Sequence, residues 1–76
     1  MINIEKLFNQ LNDSQLFKDH NIEISYIKYT NGIRITTTLN TGVLRYSDHI
    51  IVANRHTNNK FYLMPMIRTL IHRVLS

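Results

Sequence analysis

Four histidines, His20, His49, His56 and His72, are the side chains of this sequence best suited to moving a proton or holding a metal. Their spacing argues against both. No two stand four apart as on one helix face, no HExxH occurs, and there is no cysteine to complete a zinc site. They read as surface histidines in loops and on a polar helix face, and no metal or cofactor is expected. Ser47-Asp48-His49 holds the residue types of a hydrolytic triad. Consecutive residues of an extended chain point to alternate faces, so the three cannot converge. The two glycines, Gly32 and Gly42, both fall in turns, which leaves none for a phosphate-binding loop. No helix-turn-helix or zinc-finger pattern is present. The residues therefore point to binding rather than catalysis.

Two basic constellations remain. Tyr29 and Arg34 flank an Asn-Gly turn as cross-strand neighbours, and Arg45 falls on the same face of the next strand. Aromatics interleaved with arginines on an open sheet suit base stacking and phosphate contact. The plainer explanation is a solvated cation–π pair worth about 0.5–1 kcal/mol. Near the end of the sequence, Arg68 and His72 are i, i+4 neighbours, as are Thr69 and Arg73. They form a positive stripe over two helical turns. Basic residues near a helix C-terminus also complement the helix dipole, so the stripe matters only if that outer face docks on something.

The elements that must position these residues follow from periodicity. Ile4, Leu7, Phe8 and Leu11 make one apolar helical stripe over residues 3–11. Asn3 is the expected N-cap, Glu5 complements the dipole, and Ile2 with Leu7 forms a hydrophobic staple. Asn12-Asp13-Ser14 breaks the stripe. One more helical turn then runs through Lys18, closed by Asn21 in a left-handed conformation.

Two alternating runs, 22–29 and 33–39, flank Asn31-Gly32, the strongest two-residue hairpin signal. That turn predicts Ile24 opposite Leu39 and Tyr29 opposite Arg34. Ile22, Ile24, Tyr26, Ile33, Ile35 and Leu39 then share a core face, with Lys28 as the misfit. Glu23, Ser25, Ile27 and Tyr29 lie on the other face. Asn40-Thr41-Gly42 is a second turn, so Val43 to Tyr46 returns as a third strand. His49 to Ala53 either continues it or forms a fourth. Lys60 to Leu63 is ambiguous between strand and helical turn, and its aromatics favour strand. Pro65 is expected at the first position of a final amphipathic helix, with Met66, Ile67, Leu70, Ile71, Val74 and Leu75 on its apolar half. The expected fold is a single α+β domain over residues 1–76, α-β-β-β(-β)-α. It has a three- to four-stranded antiparallel sheet and helices on one face only.

The charge is unevenly placed. The sequence has 76 residues and a formal net charge of +4. Residues 1–40 are neutral overall; residues 41–76 carry five cations, four of them arginine, against Asp48 alone. Such a half suits an acidic protein or nucleic-acid partner. The N-terminus lacks the pattern of a signal peptide, and no stretch of about 18 apolar residues occurs. A cytoplasmic protein with no membrane partner and no small-molecule substrate is expected.

The α-β-β-β-α order resembles the double-stranded RNA-binding domain, although Leu63-Met64-Pro65-Met66 stands where that family has a lysine pair. It also resembles the small HicA-type ribonuclease toxins, and Pro65 to Ile71 is similar to their terminal helix. Their Gly-Ser-His signature is absent. In size and style the chain is similar to phage-encoded inhibitors of host defence, anti-CRISPR proteins among them. The expectation is a non-catalytic inhibitor from a phage or mobile element. It would occlude a protein or ribonucleoprotein complex with an acidic surface, through Tyr29, Arg34, Arg45, Arg68, His72 and Arg73. The alternatives are a toxin-type ribonuclease, with His49 or His56 as general base, and a direct RNA or single-stranded DNA binder.

Overall fold

A computed structural model describes residues 3–76. Two short helices come first, α1 (Ile4–Asn12) and α2 (Gln15–His20). Asn3 caps α1, its side chain accepting from the Lys6 N–H at 3.0 Å. The proposed Ile2 staple lies outside the described residues. Ser14 caps α2, and Asn21 closes it at φ 56°, the left-handed conformation that asparagine tolerates.

Three antiparallel strands follow in the order β1-β2-β3: β1 (Ile22–Tyr29), β2 (Gly32–Asn40) and β3 (Arg45–Ala53). His49 to Ala53 thus continues the third strand. A 3₁₀ turn, Asn54–His56, leads to α3 (Lys60–Leu75). α1 and α2 pack on β1, and α3 packs on β2 and β3. The fold is α+β, with every helix of the described residues on one side of the sheet. The core between the layers holds Phe8, Phe17, Ile22, Ile24, Ile33, Ile35, Val52, Leu63, Ile67 and Leu70. Each strand supplies every second residue, as the pleat requires. Lys28, the misfit of the core face, stays exposed and lines an open cleft of about 390 Å³ near the hairpin turn.

The hairpin register differs from the expected one. Ile24 stands opposite Thr37, and Tyr29 opposite Gly32, so the two turn residues are Thr30 and Asn31. Neither has positive φ. Asn54 explains the shift: its backbone N–H donates to the Asn31 carbonyl at 3.1 Å and its carboxamide to the Thr30 carbonyl at 2.9 Å. Gly32 serves another purpose. A Cβ there would lie 2.4 Å from the Val52 carbonyl oxygen, so only glycine lets β3 approach. Each partner moves by two residues, an even number, so no side chain changes face.

The last helix also starts earlier than expected, with Lys60 to Met64 helical and Pro65 inside α3. Asn59 caps this start, accepting from the Phe61 N–H at 3.0 Å. A proline beyond the first turn costs about 3 kcal/mol. Fully burying Leu63 offsets roughly 1.5–3 kcal/mol of that cost. Leu63 falls in phase with buried Ile67, Leu70 and Val74. The Tyr62 ring also stacks on His56, with centroids 4.0 Å apart.

Candidate functional site on the open sheet face

Among the described residues no helix covers the second side of the sheet. Its side chains are Glu23, Ser25, Ile27 and Tyr29 on β1, Arg34, Thr36, Thr38 and Asn40 on β2, and Arg45, Ser47, His49 and Ile51 on β3. The pairings lay these out in rows across the three strands. Ile27, Arg34 and Ile51 form one row, with Tyr29 diagonal to Arg34 at its end. Ile27 and Tyr29 are each 49% exposed and Ile51 71%. The patch is thus an arginine framed by two isoleucines and a tyrosine.

Arg34 is held in place. Its Cζ lies 6.0 Å from the Tyr29 ring centroid, within cation–π range. Its Nε is buried and has no hydrogen-bond partner. Among the described residues Arg34 pairs with no carboxylate. Its charge is therefore available to a partner, and its stem is already ordered against apolar neighbours.

Arg45 shares this face but not this patch. It stands opposite Asn40, six residues along β2 from Arg34, which puts the two about 20 Å apart at ~3.3 Å per residue. The expected Tyr29–Arg34–Arg45 cluster therefore divides into a pair and a distant arginine. Arg68, His72 and Arg73 lie on the exposed side of α3, across the molecule from the open face. Arg73 is engaged, its Nη1 3.5 Å from Asp48 Oδ2.

The triad residue types do not meet. Ser47 and His49 project from the open face, whereas Asp48 projects from the helix side. Asp48 Oδ1 accepts from the His49 backbone N–H at 2.8 Å, and Oδ2 faces Arg73. His56 Nε2 accepts from Arg55 Nε at 3.1 Å and its ring stacks on Tyr62, while His20 Nδ1 lies 3.0 Å from the Leu16 carbonyl. Among the described residues no group of three histidine or acidic side chains could hold a metal. No helix of the described residues is long and apolar enough to cross a membrane.

Two contributors were less legible in the sequence. Ile51 sits in the run Ile50-Ile51-Val52, where nothing local marks the middle residue as the exposed one. Asp48 looked like an isolated charge, and its two contacts come from different elements. Compared with protein-family models, curated proteins and solved structures, the chain matches none.

Proposed function

We propose that this protein is a small basic, non-catalytic binding protein that occludes an acidic protein surface on a nucleic-acid-handling complex, docking through its open sheet face. The observation that carries this reading is Arg34, stacked at Tyr29 between Ile27 and Ile51, with a buried unpartnered Nε and no carboxylate. An ordered arginine ringed by isoleucine and tyrosine has the composition of an interface centre, where arginine and aromatics dominate binding energy. A direct nucleic-acid platform needs several stacked aromatics and cations tracking a backbone. This face offers one aromatic beside one arginine, and Arg45 stands about 20 Å away along the strands. Protein is therefore the favoured partner. Such occlusion is the mode of action of a phage or mobile-element inhibitor, anti-CRISPR proteins included, working in the host cytoplasm.

The test is co-purification of tagged protein from a bacterial host, comparing wild type with Arg34→Glu and Arg45→Glu. Wild type and Arg45→Glu should retain a nucleic-acid-handling complex, and Arg34→Glu should lose it while keeping its circular dichroism spectrum. Purified protein should leave RNA intact in the same series. Equal retention by Arg34→Glu removes this face from the reading. RNA cleavage abolished by His49→Ala or His56→Ala replaces the reading with the ribonuclease.

A further inference from the structure

The backbone bonding of β3 shows which of its groups are free. Asn54 N–H donates to the Asn31 carbonyl, and Thr41 N–H donates to the Leu44 carbonyl. Both contacts obey the β2–β3 register, and antiparallel bonding alternates along a strand. The N–H and C=O groups of Tyr46, Asp48, Ile50 and Val52 therefore point to β2. Those of Arg45, Ser47, His49 and Ile51 point outward from the sheet. β3 is an edge strand, and among the described residues no backbone group pairs with this outward row. One outward group is taken: the His49 N–H, held by Asp48 Oδ1 at 2.8 Å.

We propose that the outer edge of β3 is a strand-addition site for an extended acidic segment of a partner protein, with Asp48 as its guard. Strand addition draws affinity from main-chain hydrogen bonds and specificity from alternate side chains. The free edge supplies the first through Arg45, Ser47 and Ile51. Charge supplies the second. Residues 41–76 hold β3 and the helix packed on it, and their net charge is +4. Asp48 is their sole acid, against five cations. An acidic strand is complementary to this border. A second copy of this chain is not, since it would bring another +4 to the same edge. Asp48 fits a guard's role because it fills the central outward N–H and sets a negative charge beside the incoming strand. Natural edges are protected against indiscriminate pairing by such side chains. The proposal depends on backbone groups and stands apart from the open-face reading.

The experiment titrates isotope-labelled protein with a short peptide alternating glutamate and valine, and with its lysine–valine counterpart. Amide hydrogen exchange is followed by NMR. The outward amides of Ser47 and Ile51 should exchange freely in the protein alone and become protected with the glutamate peptide only. Amides of Tyr46, Ile50 and Val52 should be protected throughout. Ser47→Pro, outside the Arg34 patch, should abolish binding while the β2–β3 ladder persists, because proline is tolerated on an edge where its missing N–H faced outward. If that variant unfolds, Ile51→Pro asks the same question, with Ile51→Ala as the control for its side chain. Asp48→Ala should strengthen binding by roughly tenfold, since it removes a like charge and frees an N–H. Equal protection by the lysine peptide, shifts confined to Tyr29 and Arg34, or weaker binding by Asp48→Ala would each overturn the proposal. So would concentration-dependent protection of the same amides without peptide, which would make the occupant a second copy.

Discussion

The two edges of this sheet are finished in opposite ways. On β1 the outward groups of Ile24 are both satisfied by one side chain: Asn12 Oδ1 accepts from the Ile24 N–H at 2.8 Å, and Asn12 Nδ2 donates to its carbonyl at 3.0 Å. The carboxamide stands in for one residue of a missing fourth strand. On β3 a single outward N–H is covered, by an aspartate on the strand itself. The surroundings differ in the same sense. Residues 3–29, which hold α1, α2 and β1, mix acids with lysines and carry one net negative charge, whereas residues 41–76 are basic. The first edge is clamped at Ile24 by another element; the second is guarded at His49 by its own strand. Closure from another element ties stability to the contact, whereas a guard on the same strand can be removed with little structural consequence.

The sharpest way to break this contrast is in the side chains. Ile24→Ala, at a position 2% exposed, should destabilise the domain by about 2–5 kcal/mol, read as a fall in the urea midpoint. Ile51→Ala, at a position 71% exposed, should stay within about 0.5 kcal/mol. Similar midpoints for the two would mean that the open face is covered in solution. Next comes Asn12→Ala, which strands the buried Ile24 backbone groups and should cost about 1–3 kcal/mol. A smaller loss would show that water replaces the carboxamide and that β1 is as open as β3. A small effect is likewise expected of Asp48→Ala on folding. Its partner Arg73 is half exposed, and exposed ion pairs contribute about 0–1 kcal/mol. A midpoint shift matching that of Asn12→Ala would mean that Asp48 closes its edge structurally rather than guarding it.

Much of the candidate site was readable from local pattern. Alternation in 22–29 and 33–39 placed Ile27, Tyr29 and Arg34 on one face, and the pairing shift left that assignment intact because it was even. The arginine's setting was not readable. Its neighbour Ile51 comes from a strand whose register depends on the whole β2–β3 pairing, and Arg45 could be assigned a face but not a distance. Nothing in Asn12 or Asp48 announces an edge contact, since each is a common turn or surface residue whose partner is set by packing.

Period-two and helical alternation, the Asn3 cap and the uneven charge determined α1, the strand faces, the apolar half of the last helix and the basic half, because each acts between residues close in sequence. Tertiary structure decided what competing local signals could not. Asn54 gripping the Thr30 and Asn31 carbonyls outweighed the Asn-Gly turn preference, and burial of Leu63 carried α3 through Pro65. It also decided where the β1 edge is clamped, since Asn12 reaches Ile24 only once α1 has docked on β1. Contacts between residues distant in sequence form only when the core assembles, so local pattern cannot announce them.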